Sequence, residues 1–112
     1  MARRLALVTG ASSGIGAAYA REFARRGWDL ALVARREDRL KDLAEELKAQ
    51  FGVDSLIIAA DLSDPAAPET IVKTITDQGR IIDGLVNNAG AGRPGAFVEL
   101  SWEDQAQFLS LI

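Results

Sequence analysis

The chain has 112 residues and a net charge of −3, with 48% apolar and 26% charged residues. This composition is typical of one globular domain, and it excludes both disorder and the basic surface that nucleic acid requires. Because the chain contains no cysteine and no histidine, disulfides, a Ser–His–Asp triad and the usual zinc sites are also excluded. No apolar run approaches the roughly 18 residues of a membrane span, so we expect a cytoplasmic protein that binds neither metal nor membrane.

Four short apolar runs predict the strands of the fold. Continuous apolar runs of this length are typical of buried parallel strands, and helical patterns separate them. Because strands that alternate with helices need right-handed crossovers, the order predicts an α/β fold with a parallel sheet and helices on both of its faces. The predicted strands cover residues 5–8, 30–33, 56–60 and 82–86.

The helices are predicted from apolar residues that recur at helical spacing between the strands. The third helix is predicted to begin at Asp64-Pro65, with the aspartate as capping acceptor and the proline in the first turn. A capping pattern at Ser101 predicts a fourth helix. The predicted core-facing residues are Ile15, Ala18, Tyr19 and Phe23 in the first helix, Leu40, Leu43, Ala44 and Leu47 in the second, and Ile71, Val72 and Ile75 in the third.

A glycine-rich turn joins the first predicted strand to the first predicted helix. Gly10 permits a sharp turn, Gly14 lets the backbone approach a phosphate, and Gly16 lets the helix pack closely on the sheet. Backbone N–H groups at the helix N-terminus, helped by the hydroxyls of Ser12 and Ser13, are then expected to bind the pyrophosphate of a dinucleotide. A purely structural turn is the alternative, but the strand–turn–helix context favours the nucleotide.

Two arginines follow the second predicted strand, where NAD-binding proteins commonly carry an acidic residue for the adenosine ribose hydroxyls. Arg35 and Arg36 place no carboxylate there, and a guanidinium can pair with a 2′-phosphate. The sequence therefore predicts NADP(H) in preference to NAD(H). The alternative is a pair of solvated charges at a helix start, a position that the helix dipole makes unfavourable for cations.

Two further motifs accompany the glycine turn, each at the end of a predicted strand. They are Asp61-Leu62 after the third strand and Asn87-Asn88-Ala89-Gly90 after the fourth. Together with the turn, these motifs closely resemble the short-chain dehydrogenase/reductase family over the whole chain. The resemblance implies a Rossmann-like three-layer α/β/α fold with strand order 3-2-1-4. It also implies NAD(P)(H)-dependent oxidoreduction of an alcohol or carbonyl substrate.

The resemblance implies a role for each motif residue. Asp61 would contact the adenine of the cofactor, and Leu62 would line the adenine pocket. Residues 88–90 would border the cofactor ribose, whereas Thr9 would tie the turn to the fourth strand. The predicted cofactor-binding residues are Gly10, Ser12, Ser13, Gly14, Ile15, Gly16, Arg35, Arg36, Asp61, Leu62, Asn88, Ala89 and Gly90.

The catalytic serine and Tyr-x-x-x-Lys motif of the family are expected beyond residue 112, so we predict no catalytic residue in this chain. Tyr19 is the single tyrosine, and the residue four positions later is Phe23 instead of lysine. A six-strand fold of this type needs roughly twice this length. We therefore interpret residues 1–112 as a partial NAD(P)-binding domain of an NADP-dependent oxidoreductase, truncated before strand 5 and inactive by itself.

The truncation predicts an open edge at the fourth strand. Such an edge carries unpaired backbone groups and would favour self-association into homo-oligomers or aggregates. The alternative hypothesis is a stand-alone, catalytically inactive dinucleotide-binding or regulatory module that docks a partner on this edge.

Overall fold

A computed structural model describes residues 3–87 and the backbone of residues 96–99. The elements, in chain order, are β1 (Leu5–Thr9), α1 (Gly14–Arg25), β2 (Asp29–Ala34), α2 (Glu37–Phe51), β3 (Ser55–Ala59), α3 (Ala67–Asp77), β4 (Gly84–Asn87) and β5 (Ala96–Glu99). The alternation of strands and helices from β1 to β4 confirms the predicted α/β fold. No helix in this part of the chain is long and apolar enough to cross a membrane. The fourth helix predicted at Ser101 lies outside the described residues.

The strands form one sheet in the order β3-β2-β1-β4-β5. β1 lies at the centre, and β1 to β4 are all parallel, which confirms the predicted order 3-2-1-4. Parallel strands end at the same edge of a sheet, and here Thr9 at the end of β1 is paired with Val33 of β2 and Asn87 of β4. The loops that follow these strands therefore start side by side.

The edge of β4 is paired, and the prediction that it would be open was wrong. β5 runs antiparallel to β4, with Val98 opposite Leu85 and Phe97 opposite Val86. The physical reason is that exposed N–H and C=O groups of an edge strand accept any extended segment that the chain brings alongside. An aromatic and a β-branched residue in β5 favour the extended conformation. The backbone groups of β4 that were expected to drive self-association are therefore paired within the chain, and β5 is the edge strand instead.

Two apolar clusters, one on each face of the sheet, form the core. α1 and α2 pack on one face, where Ala20 and Leu47 belong to the same cluster as Val8 of β1. α3 packs on the other face, where Ile71 and Ile75 contact the second cluster. Every residue of β1 and β2 is buried, and each fully buried leucine or isoleucine contributes about 1.5–3 kcal/mol. The predicted helices on both faces are confirmed.

The core-facing side of α1 differs from the prediction. Ile15 is 51% exposed and Ala18 is exposed, whereas the buried residues of the helix are Gly16, Ala20 and Ala24. These three small residues recur at intervals of four, so they lie on one side of the helix and let its backbone approach the sheet closely. The other two predicted residues, Tyr19 and Phe23, are half-buried against the same cluster.

α3 begins later than predicted. The helix starts at Ala67, with Pro68 in its first turn, and Asp64 lies in the turn that precedes it. The carboxylate of Asp64 accepts a hydrogen bond from the N–H of Ala66 at 2.9 Å, which closes a local turn instead of capping the helix. The predicted inner face of α3 is confirmed, because Ile71 and Ile75 are fully buried and Val72 packs against them half-buried.

Candidate functional site

The predicted site residues that lie within residues 3–87 gather at the carboxyl edge of the parallel sheet. The glycine turn (residues 10–16) follows β1, and Arg35 follows β2. Asp61 comes two residues after β3, and β2 and β3 are paired up to Ala34 and Ala59. The topology therefore brings three chain segments together that are far apart in sequence. In open α/β sheets this edge is the usual place for ligands.

The glycine turn is held by hydrogen bonds centred on Ser13. Gly10 has a φ of +62°, a conformation that glycine adopts without steric cost. The Ser13 hydroxyl donates to the carbonyl of Gly10 at 2.9 Å and accepts from the N–H of Gly16 at 3.2 Å. Ser13 is therefore the N-cap of α1, and its hydroxyl is already engaged in forming the turn.

Gly14 and Gly16 occupy opposite environments within the turn. A Cβ atom on Gly16 would lie 2.2 Å from the carbonyl oxygen of Gly10 and 3.0 Å from the Cα of Ala11. A Cβ atom on Gly14 would meet no atom of residues 3–87 within 4 Å. Gly16 is thus required by the fold itself, whereas the space beside Gly14 is open.

Thr9 connects the start of the turn to the end of β4. Its side chain is fully buried, and its hydroxyl lies 3.1 Å from Oδ1 of Asn87 and 3.3 Å from the carbonyl oxygen of Val86. The hydroxyl hydrogen can serve either acceptor. This contact is the one that the family resemblance implied for Thr9. The predicted ribose-binding residues Asn88, Ala89 and Gly90 lie outside the described residues.

The two arginines after β2 differ in their surroundings. Arg36 pairs with Asp38 through two contacts, at 3.3 Å from Nη2 and 3.4 Å from Nε. Arg35 is exposed, and no carboxylate of the described residues lies within 4.0 Å of its guanidinium. Arg35 is therefore the arginine whose charge remains available for an added anion.

Asp61 lies in an exposed turn before α3. Its Oδ1 accepts hydrogen bonds from both the N–H and the hydroxyl of Ser63. These bonds, together with the nearby charge of Arg35, hold the pKa of the Asp61 carboxyl below its ordinary value. The adjacent Leu62 is half-buried against the α3 side of the core.

A groove of about 210 Å³ opens between α1 and α2 beside the glycine turn. Ser12 and Ala11 of the turn line it, and the bidentate ion pair between Arg21 and Glu46 crosses between the helices. Arg39, the third residue of α2, also lines the groove. No group of three or more acidic, histidine or cysteine residues able to hold a metal ion occurs within the described ranges.

The family model for the short chain dehydrogenase matches residues 4–111. The chain belongs to the short-chain dehydrogenase family. Sulfoacetaldehyde reductase 2 of Chromohalobacter salexigens is 41% identical to it over 100 residues, which are 87% of this chain and 39% of the relative. Membership in this family confirms the resemblance carried by the sequence motifs.

Two solved structures that the chain resembles show how much of a longer protein the described fold matches. L-Sorbose reductase from Gluconobacter frateurii, complexed with NADPH and L-sorbose, is 36% identical with a TM-score of 0.77, and the match covers 99% of this chain and 46% of that one. A short-chain dehydrogenase from Sphingobium yanoikuyae in complex with NADPH is 40% identical with a TM-score of 0.71, and the match covers 96% and 46%. The chain thus spans less than half the length of these relatives.

The sequence analysis did not name two side chains that lie beside the candidate site, Ser63 and Arg39. Ser63 follows Asp61 by two residues. An aspartate followed by serine at this spacing is typical of a local turn, so the sequence did indicate this contact. Arg39 follows Arg35 by four residues, but its position in the groove depends on how α1 and α2 pack. The first residue had a sequence signal, and the second did not.

Proposed function

We propose that this chain binds NADP(H) and forms the cofactor-binding part of a short-chain oxidoreductase acting on an alcohol or a carbonyl. The observation that carries the proposal is the glycine turn, in which Gly16 is packed against Gly10 while the space beside Gly14 is open. A bound nicotinamide cofactor supplies the hydride chemistry. The residues of this chain bind and orient it, and the substrate is an alcohol or a carbonyl by analogy with the family.

The glycine turn would hold the pyrophosphate. No acceptor in the described part of the chain engages the N–H groups of Gly14 or Ile15, as expected for the first turn of a helix. These donors and the positive end of the helix dipole are suited to an anion. Ser12 lies in the same turn and lines the adjoining groove, where its hydroxyl would add a further hydrogen bond.

The remaining predicted contacts concern the adenosine half and the ribose. Asp61 would accept a hydrogen bond from adenine and Leu62 would form one wall of the adenine pocket. The backbone at residues 88–90 would border the ribose. The common position of the β1, β3 and β4 ends at one edge of the sheet supports this assignment.

Arg35 would pair with the 2′-phosphate of NADP(H), with Arg36 as a second cation nearby. Two observations support this preference. The Arg35 guanidinium has no carboxylate partner within 4.0 Å among residues 3–87, and both solved relatives described above hold NADPH. An exposed guanidinium beside the end of β2 matches a phosphate in charge and in hydrogen-bond geometry.

Replacement of Arg35 by alanine tests the cofactor preference. Arg35→Ala is expected to weaken NADPH binding by about tenfold or more, because a charge-assisted hydrogen bond is lost. Binding of NADH is expected to change by less than about threefold, since NADH has no 2′-phosphate to lose. Equilibrium titration of NADPH and NADH against both chains measures the two ratios.

Lys41→Ala is the matched control, because Lys41 is an exposed cation in α2, the helix that follows Arg35, and its ion pair with Glu37 is at 3.9 Å. The control should leave both affinities unchanged. Tighter binding of NADH than of NADPH by the unmodified chain would contradict the preference. If Arg35→Ala lost affinity for NADPH and for NADH equally, Arg35 would not distinguish the two nucleotides.

A stand-alone dinucleotide-binding or regulatory module is the second candidate function. The pairing of β5 with β4 favours it in one respect, because the chain covers its own sheet edge. The same pairing removes the surface on which such a module was expected to dock a partner. Size-exclusion chromatography beside the binding titration separates the candidates: a discrete dimer with one cofactor site per chain supports the module, whereas aggregates that the remainder of a family fold rescues support the cofactor-binding part. A turnover assay with NADPH and generic ketones does not separate them, since the module and the isolated cofactor-binding part both predict binding without turnover. Turnover by the 112-residue chain would contradict both.

A further inference from the structure

Ser63 engages one oxygen of the Asp61 carboxylate with both of its hydrogen-bond donors. The hydroxyl donates to Oδ1 at 2.7 Å and the backbone N–H donates to the same atom at 2.9 Å. Two donors on one oxygen fix the rotation of the carboxylate about its last bond. The second oxygen, Oδ2, accepts no hydrogen bond from the described residues.

The hydroxyl of Ser63 is not needed to form the turn itself. The backbone of the turn is closed by a hydrogen bond from the N–H of Asp64 to the carbonyl of Asp61 at 3.0 Å. The following residues are held by a second hydrogen bond, in which the Asp64 carboxylate accepts from the N–H of Ala66. Ser63 is also exposed, so its side chain contributes little packing. Its remaining effect is on the direction and charge of the Asp61 carboxylate.

We infer that Ser63 is a positioning residue that turns Oδ2 of Asp61 toward the exocyclic amino group of the cofactor's adenine. The inference rests on the proposed function, in which Asp61 accepts a hydrogen bond from that base. An amino group donates to a carboxylate, whereas an oxo group at the same ring position presents a second acceptor and is repelled. Ser63 thereby sets the preference of the site for adenine over a 6-oxopurine.

The experiment compares NADPH with its hypoxanthine analogue, in which oxygen replaces the adenine amino group. Equilibrium titration of the 112-residue chain should show a preference for NADPH of about tenfold, the size expected for one hydrogen bond to a charged acceptor. Ser63→Ala should reduce that preference about fivefold, because the carboxylate can then rotate away. Ser63→Thr keeps the hydroxyl and should restore the preference.

Thr70→Ala is the control for removal of an exposed hydroxyl, because the Thr70 hydroxyl donates locally, to the carbonyl of Ala66 at the start of α3, at 3.2 Å. It should leave the preference unchanged, and melting temperatures of all variants report on folding. If Ser63 had a structural role alone, Ser63→Ala would weaken the binding of NADPH and of its hypoxanthine analogue equally.

The outcomes separate this inference from the proposed function. A preference that survives Ser63→Ala, or equal binding of both nucleotides by the unmodified chain, overturns the inference and leaves NADP(H) binding intact. Failure of the unmodified chain to bind either nucleotide overturns both.

Discussion

Gly14→Ala is expected to weaken NADPH binding by at least about tenfold while leaving the fold as stable as before. Gly16→Ala is expected to lower the free energy of unfolding by about 3 kcal/mol. The two variants add the same methyl group two residues apart in one turn. Their opposite outcomes would separate the glycine that the nucleotide requires from the glycine that the fold requires.

The expected effect at Gly16 follows from contact with backbone atoms. A methyl group there would lie 2.2 Å from the Gly10 carbonyl oxygen and 2.8 Å from its carbonyl carbon. Backbone atoms cannot rotate away as a flexible side chain can, so α1 must move off the turn. Overpacking of this kind costs about 1–3 kcal/mol and occasionally more, which corresponds to a loss of roughly 10 °C or more in melting temperature for a domain of this size.

The expected effect at Gly14 follows from open space. A methyl group at Gly14 meets no described atom within 4 Å, and Gly14 is not among the glycines with positive φ. Alanine is a better helix former than glycine by about 0.5–1 kcal/mol, so the first residue of α1 should tolerate it well. The same methyl group would stand where the phosphate must approach the backbone.

Thermal unfolding followed by circular dichroism and titration with NADPH measure the two effects. Ala18→Gly, at an exposed position on α1, controls for helix propensity without altering the turn. A Gly14→Ala variant that binds NADPH like the unmodified chain would remove the main support for the pyrophosphate site. A stable Gly16→Ala variant would show that the turn has another way to accommodate a side chain.

The glycine turn could be predicted from sequence because its chemistry is local. Gly10, Ser13 and Gly16 lie within seven residues, and their hydrogen bonds join atoms three residues apart. Continuous apolar runs identified β1, β2 and β4 for a similar reason, since each of these strands is buried along its whole length or most of it. The same pattern identified β3, although Ile58 is the one buried residue of that strand. Strand order followed from the family resemblance, because no local pattern states which strands are neighbours.

The orientation of α1 could not be predicted from apolar spacing alone. The helix carries two stripes, one containing Ile15 and Ala18 and another containing Gly16, Ala20 and Ala24. Hydrophobicity favours the first stripe, but close approach of the helix to the glycine turn requires small residues at the contact. Packing determined which of the two stripes faces the sheet.

β5 was missed because a four-residue strand is specified by its partner more than by its own sequence.

The base of the sheet, at the opposite edge from the candidate site, contains a contact of this long-range kind. Asp29 is only 4% exposed, and its Oδ2 accepts a hydrogen bond from Nη1 of Arg80 at 3.1 Å. Its Oδ1 accepts from the N–H of Asp54 at 2.9 Å and lies 3.6 Å from Nη1 of Arg3. We call Asp29 and these three partners the Asp29 cluster. It joins the chain segments before β1, β3 and β4.

Asp29→Asn is expected to lower the free energy of unfolding by about 3 kcal/mol or more. The amide has the same shape but carries no charge, and it must turn an NH₂ group toward either the Asp54 N–H or the Arg80 guanidinium. One buried donor is then left unpaired, and the partly buried charge of Arg80 loses its counterion. Urea denaturation measures the change. Asp54→Asn is the control, because its side chain is exposed and pairs with Lys48 on the surface, and it should have little effect.

Nucleotide binding should not depend on the Asp29 cluster, because the cluster and the glycine turn lie at opposite edges of the sheet. NADPH at about 100 times its Kd should therefore stabilise the unmodified chain and Asp29→Asn by the same amount, about 2.7 kcal/mol. Equal increments would mean that the Asp29 cluster contributes to stability and is separate from the nucleotide site. A smaller increment in Asp29→Asn would contradict this separation, since it would show that the register of β1 against β2, fixed in part at Asp29, also sets the shape of the turn that follows β1.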